Sequence, residues 1–153
     1  MGLAAFFSGL SSAATAAKTI QSLLKNTRGV QRSLLLELQK NMSLIYLFLG
    51  DERKLITIIN KLDTRVYEEA SKTDFDFSDI KKGKVSQRLI GEVKQLQPYV
   101  GWNTEQLFEN IYLKIHQLKT ITEIDPDANK FRLSVRLKNL HKMMVLLIKH
   151  VKS

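Results

Sequence analysis

Three oxygen-bearing side chains, Asp74, Asp76 and Ser78, stand at the spacing of the first three ligands in an EF-hand calcium loop. The pattern then stops. Asp79 occupies the position that requires glycine, and Val85 occupies the position of the bidentate glutamate. Without that glutamate the loop lacks its strongest ligand, so we expect no calcium site here.

Other metal and catalytic chemistry is also missing from the sequence. The chain contains no cysteine, which excludes thiolate metal sites, redox pairs and disulfides. Its three histidines never stand four residues apart, as metal ligands on one helical face would. No glycine-rich phosphate loop, GxSxG elbow or HExxH motif occurs. We therefore predict no metal, no cofactor and no small-molecule substrate.

One pair of residues stands at a spacing that is known from catalysis. Arg136 and His141, in the stretch RLKNLH, form an Arg-x4-His pattern that resembles the signature of HEPN-type ribonucleases. Those enzymes are small helical bundles, and the resemblance implies that Arg136 and His141 would act together on RNA. On a continuous helix the two side chains would lie about 140° apart, so a kink or a partner subunit would have to bring them together.

The N-terminal stretch MGLAAFFSGLSSAATAAK carries no charge before Lys18. We call residues 1–25 the leader and predict an amphipathic helix whose polar side consists of hydroxyl groups. A signal peptide would need a basic residue before its apolar part. Myristoylation would need Ser or Thr where Phe6 stands. A membrane-spanning helix would need more strongly apolar residues. The leader therefore either docks on its own protein or buries its apolar side elsewhere, in a membrane or between subunits. The residues predicted to do this are Leu3, Phe6, Phe7 and Leu10.

Positive charge is concentrated at the two ends of the chain. The net charge is +9, and both residues 1–36 and residues 128–153 lack any acidic residue. A protein with this distribution attracts polyanions, which include nucleic acid, anionic lipid and acidic protein surfaces. The predicted membrane or self-association set adds Lys18, Lys25, Arg28 and Arg32 to the apolar leader residues. The predicted polyanion-binding set is Lys130, Arg132, Arg136, Lys138, Lys142 and Lys149.

Helical periodicity dominates the rest of the sequence. Apolar residues recur at helical spacing through SLLLELQKNMSLIYLFL and again from Leu55 to Ala70, with Gly50-Asp51 as the turn of a helical hairpin. There Gly50 would end one helix in the left-handed conformation and Asp51 would cap the next. A short helix is predicted over 85–97.

A second helical hairpin is predicted near the C-terminus. In this hairpin Asn103 and Gln106 form a capping box, and the last helix runs over 126–151, with Asp125 as its cap and Pro126 at its first position. The sequence therefore predicts a single all-α domain over 1–153. It comprises the leader and, over 29–151, a bundle of four main antiparallel helices with one short extra helix.

The plan of the chain resembles the HeLo-like and coiled-coil-type helical-bundle effector domains of immune and cell-death proteins. The resemblance rests on the uncharged start MGLAAFFSGLSSAATAA, the basic stretch KTIQSLLKNTRGVQR and the amphipathic helices that follow. It implies a defence protein that oligomerises and attacks membranes through its first helix. The acidic residues that such first helices often carry are absent here.

We accordingly expect a non-enzymatic interaction or assembly protein, with a homo-oligomer or another protein as partner. We expect it in the cytoplasm, where its leader would also attach it peripherally to an anionic membrane surface. The first alternative is a basic nucleic-acid-binding subunit of a larger complex, and the second is the HEPN-like ribonuclease. Salt-sensitive binding to nucleic acid would support the first alternative, and RNA cleavage that depends on His141 would support the second.

Overall fold

The computed structural model describes residues 3–7, 10, 12–127 and 129–153. Over these residues the chain is 78% helical and contains no strand, which confirms the all-α class. Its buried apolar side chains form one continuous hydrophobic core. The α-helices are α1 (Leu3–Phe6), α2 (Ala13–Leu24), α3 (Gly29–Gly50), α4 (Leu55–Lys61), α5 (Arg65–Lys72), α6 (Gln87–Ile90), α7 (Thr104–Ile124) and α8 (Lys130–Lys152).

Two of the long helices organise this core. Helix α3 packs against α2, α4, α5 and α8, while α7 packs most extensively against α8 and also against α4. The C-terminal half of α8 is the most deeply buried segment, because all residues from Met143 to Ile148 are buried. Exposed and buried positions alternate with the helical period in the N-terminal half of α8, so that half presents a polar face to solvent.

The predicted hairpin turn after α3 is present, but its glycine behaves differently from the prediction. Gly50 is the last helical residue and is not among the glycines with positive φ. Asp51 instead leaves the helix in an extended conformation and starts a 3-10 turn, where its Oδ1 accepts a hydrogen bond from Arg53 N at 3.2 Å. Asp51 therefore ends one helix and caps the next turn without a left-handed residue.

The apolar stripe that predicts one helix from Leu55 to Ala70 is divided between α4 and α5. The buried Asn41 of α3 causes the break, because its Nδ2 donates to Asp63 O and its Oδ1 accepts from Asp63 N, both at 2.8 Å. These two bonds occupy backbone groups that a continuous helix would use itself. A side chain from another helix thus ends α4.

Helix α5 then begins on a second polar side chain of α3. The buried carboxylate of Glu37 accepts hydrogen bonds from Val66 N at 2.7 Å and from Tyr67 N at 3.1 Å. These are the free N–H groups of the first turn of α5, and a negative charge is favourable at that end of a helix. Glu37 is therefore buried with its charge satisfied by backbone donors.

The predicted helix over 85–97 is also interrupted. Helix α6 ends at Gly91, whose φ of 62° is unfavourable for other residues, and a 3-10 helix follows over Lys94–Tyr99 with Pro98 inside it. The capping box at the start of α7 is confirmed, with Asn103 and Gln106 each bonding the other's backbone N–H.

The start of the last helix was wrongly predicted. Asp125 is the C-cap of α7, and Asn129 caps α8 by accepting hydrogen bonds from Phe131 N and Arg132 N. The EIDPD stretch therefore belongs to the turn between the two helices, and α8 begins four residues after Pro126.

Candidate polyanion-binding face and leader seat

Helices α7 and α8 pack side by side and leave a polar furrow along one side of their contact. One part of it is a surface depression of about 250 Å³ lined by Lys114 and Gln117 from α7 and by Arg136 and Asn139 from α8. A second depression along the same contact, of about 260 Å³, is lined by Ile121, Asp125, Asn129, Arg132, Leu133 and Arg136. We call these two depressions together the α7–α8 furrow.

Arg136 lines both depressions and therefore joins them. Arg132 and Arg136 stand one helical turn apart, so their side chains project from the same side of α8. Both are exposed, and within the described part of the chain no ion pair engages either guanidinium. Asp125 places one carboxylate at the end of the furrow, where its Oδ1 accepts from Asp127 N at 3.2 Å. The furrow thus offers three cationic side chains, several amide groups and one acid.

The remaining residues of the predicted polyanion set are dispersed. Lys138 forms an ion pair with Glu52 at 2.6 Å, and Lys130 lines a different depression beside Phe131. Lys142 is half-buried. Lys149 lies 4.4 Å above the centre of the Phe6 ring, and burial followed by the charge of Lys152 lowers the pKa of Lys149.

Lys114 was not predicted as a binding residue. It stands three residues after Ile111 and four before Leu118, beside the buried stripe of α7. That position was readable as the edge of the helix-packing face, where a long charged side chain reaches over the neighbouring helix. The position of Lys114 beside the apolar stripe was visible in the sequence, but only the packing of α7 on α8 shows that Lys114 lines the same depression as Arg136.

The structure does not bring Arg136 and His141 together. Helix α8 is continuous from Lys130 to Lys152, so the angular separation expected between the two side chains is kept. Arg136 lines the furrow, whereas the His141 ring contacts Phe7 of the leader and Tyr46 of α3. The described monomer therefore contains no shared Arg–His site of the kind that the ribonuclease alternative requires.

The leader is not one helix over 1–25, as predicted, but holds α1 and α2, with Ser12 capping α2 through a hydrogen bond from Thr15 N at 3.3 Å. Residues 1, 2, 8, 9 and 11 lie outside the described residues. The described residues Phe7, Leu10 and Ser12 lie outside both α-helices, so the predicted single helix is divided.

The apolar side of the leader packs on its own protein. Phe6 and Leu10 are 2% and 3% exposed, and Leu3 and Phe7 are half-buried against the core. The hydroxyl of Tyr46 donates a hydrogen bond to Leu10 O, which fixes the chain after α1. The apolar residues predicted to insert elsewhere therefore already have a site within the monomer, which we call the leader seat.

The basic residues of the predicted leader set lie on and after α2. Lys18 and Lys25 are exposed, and Arg28 precedes the first residue of α3. Arg32 is exposed, but its Nη1 donates to Leu24 O at 3.0 Å and so ties the end of α2 to α3. All four cations are therefore on the surface with no ion pair among the described residues, and Arg32 is held by a backbone carbonyl.

A further surface depression, of about 600 Å³, lies between the start of α3 and α5. Val30, Val66 and Ala70 give it an apolar lining, with the charged residues Arg65 and Glu69 also lining it. Arg65 is already engaged, because its Nη2 contacts Asp63 Oδ2 at 2.9 Å.

Neither similarity to known proteins nor a metal or membrane element among the described residues assigns a function to the chain. No protein-family model matches the chain, and no curated protein or solved structure is significantly similar to it. Among the described residues, no group of three or more histidine or acidic side chains is placed to hold a metal ion. None of the described helices combines the length and the hydropathy needed to cross a bilayer.

Proposed function

We propose that this protein is a helical interaction protein that binds the phosphate backbone of a nucleic acid along the α7–α8 furrow. The observation that carries the proposal is the pair of exposed guanidiniums, Arg132 and Arg136, which lie one turn apart and opposite Lys114. Guanidiniums bind phosphate oxygens through two parallel hydrogen bonds, and amides such as Gln117 and Asn139 supply further contacts to phosphate and sugar.

The charge distribution supports the same conclusion. Some acidic residues of the central segment are already engaged by cations, as in the pairs of Asp51 with Arg53 and of Glu52 with Lys138. The cations of the furrow have no such partners among the described residues. Contacts of this type position a nucleic acid without reading its sequence, so we expect binding with little sequence preference.

A fluorescence-anisotropy titration of a labelled single-stranded oligonucleotide tests the proposal. Each phosphate contact to a single strand contributes about 0.7 to the slope of log affinity against log salt. Changing Arg132→Gln and Arg136→Gln together should therefore weaken binding and reduce the magnitude of that slope by about 1.4.

Lys138→Gln is the matched control, because it removes one positive charge from the same helix. Lys138 is two residues from Arg136, so it lies about 200° around α8, and its ammonium is paired with Glu52. At about 0.15 M salt, charges separated by more than about 8 Å are largely screened. Arg136→Gln should weaken binding severalfold and Lys138→Gln should hardly change it. Equal losses in the two variants would contradict a furrow site.

The other partner classes give distinct results in the same experiment. Absence of binding to the oligonucleotide would refute the nucleic-acid proposal. Binding to vesicles containing phosphatidylserine that is lost in the Arg132→Gln/Arg136→Gln chain would assign the furrow to an anionic membrane. Cleavage of an RNA oligonucleotide that is lost in His141→Ala would support the ribonuclease alternative instead.

A further inference from the structure

The described residues of the segment 3–10, which lies before α2 in the leader, bury Phe6 and Leu10 in the core and make three further contacts. Phe6 lies beneath Lys149 Nζ, 4.4 Å from the ring centre. The Phe7 ring stacks on the His141 ring, with 6.2 Å between centroids and 30° between planes. The third contact is the hydrogen bond that Leu10 O accepts from the Tyr46 hydroxyl. The seat therefore combines burial of two apolar side chains with contacts to α3 and α8.

His141 is the titratable group at the centre of this seat. Its ring is packed edge-to-face against Tyr46, with centroids 5.1 Å apart, while Phe7 covers it from the leader side. Its Nε2 is buried and has no hydrogen-bond partner among the residues that the structure describes. A neutral imidazole tolerates this position, but an imidazolium would bury an N–H donor and a charge without a partner.

No carboxylate among the groups facing His141 would compensate its protonation. The described residues of the segment 3–10 carry no charge, and α3 contributes the Tyr46 hydroxyl, whose pKa is raised by burial. Helix α8 itself contributes the cation Lys142, and α2, which also packs on α8, carries Lys18 and no acid. Burial, reinforced by Lys142, lowers the pKa of His141.

We propose that protonation of His141 releases the leader from its seat, and that the released leader binds an anionic lipid bilayer. Release exposes Leu3, Phe6, Phe7 and Leu10 together on a segment that lacks charge before Lys18. The bilayer is the partner that fits this segment. Aromatic and aliphatic side chains insert at the acyl boundary, while nearby lysines and arginines attract anionic headgroups by about 1 kcal/mol each.

The direction of the pH effect follows from the docked state. His141 has an ordinary pKa near 6.5 when it is free, and burial in the docked state, to which the Phe7 ring contributes, lowers this pKa. The docked state is therefore most stable above about pH 6.5, and its stability falls as the pH drops from that value toward the lowered pKa. Each unit by which docking lowers the pKa increases the release constant about tenfold at full protonation.

Vesicle co-sedimentation of the full chain tests this inference independently of the furrow. We expect the fraction bound to phosphatidylserine-containing vesicles to rise at least severalfold between about pH 7.5 and about pH 5. Far-UV circular dichroism should show unchanged helicity over this range. The rise should persist in the Arg132→Gln/Arg136→Gln chain, which separates failure of this inference from failure of the nucleic-acid proposal.

Two variants isolate the seat itself. His141→Phe keeps an aromatic ring under Phe7 but cannot be protonated, so its vesicle binding should stay low and independent of pH. Tyr46→Phe keeps the ring and removes only the hydrogen bond to Leu10 O, which should increase the released fraction about fivefold at intermediate pH. His116→Gln changes an exposed histidine on α7 and should respond to pH like the unmodified chain.

Three results would overturn the inference. The first is an equal acid-induced rise in His141→Phe. The second is a rise that accompanies loss of helicity, since this would reflect unfolding and not release. The third is slower amide exchange of residues 3–24 at acidic pH after correction for intrinsic rates, because it would mean that the imidazolium strengthens the contact with Phe7 through a cation–π interaction.

Discussion

The side chain of Asn41 should be one of the largest single polar contributors to the stability of this fold. It is fully buried, and it satisfies both backbone groups of Asp63 at 2.8 Å. In Asn41→Ala, the N–H and the C=O of Asp63 lose their partners at a place where water has poor access. The end of α4 then loses the side chain that holds it, while Glu37 still caps the start of α5.

The expected magnitude follows from these two bonds. Leaving one buried donor or acceptor unsatisfied costs about 1–3 kcal/mol, and Asp63 is half-buried, so the total loss should be about 2–4 kcal/mol. For a chain of this size, 1 kcal/mol shifts the melting temperature by about 2–4 °C. Asn41→Ala should therefore melt about 4–16 °C below the unmodified protein.

Urea denaturation followed by circular dichroism, together with calorimetry, measures this loss directly. Asn26→Ala is the matched control, because Asn26 is exposed and its side chain makes no hydrogen bond among the described residues. Amide exchange should in addition accelerate selectively in Arg65–Lys72. A difference between the two variants below about 0.5 kcal/mol would refute the view that Asn41 divides this region into two helices.

Two further predictions concern a buried histidine and a glycine. His150 is buried, its Nε2 lies 3.1 Å from Thr104 Oγ1, and burial followed by the charge of Lys81 lowers its pKa. Because the folded pKa is the lower one, the free energy of unfolding should fall as pH drops below about 6.5, and urea titrations should show a shallower fall in His150→Gln. Gly91→Ala should cost about 1–3 kcal/mol in thermal melts, since φ is 62° there, although a Cβ would meet no atom within 4 Å. Gly50→Ala, which also has open space and no positive φ, should be neutral or slightly stabilising and serves as its control.

The parts of the fold that were predictable from sequence depend on local patterns. Asn103 and Gln106 specify the start of α7 by contacts within four residues of each other, and Asp51 marks the end of α3 in the same way. The division between α4 and α5 was not predictable. The Leu55–Ala70 stripe is apolar at helical spacing on both sides of the break, and the break comes from Asn41 and Glu37 on another helix.

The candidate site, too, was predictable only where local sequence determines it. The basic residues of α8 were recognised as a set, but adjacency in sequence does not place them on one face. The start of the last helix was also mispredicted at the turn containing Pro126, because Asp125 ends α7 and Asn129 caps α8 instead. Only the packing of α7 on α8 selects Arg132 and Arg136 and adds Lys114.

The leader carries the most consequential difference between sequence and structure. An uncharged, amphipathic start predicts a segment that seeks an apolar surface, and it does not say whose surface this is. In the structure the surface is provided by α3 and α8, whose Tyr46 and His141 meet the leader at Leu10 and Phe7. A segment that is docked through a few side chains over a titratable group differs from one that is always exposed. Its association with any external partner must compete with the seat, so its affinity depends on whatever weakens that seat.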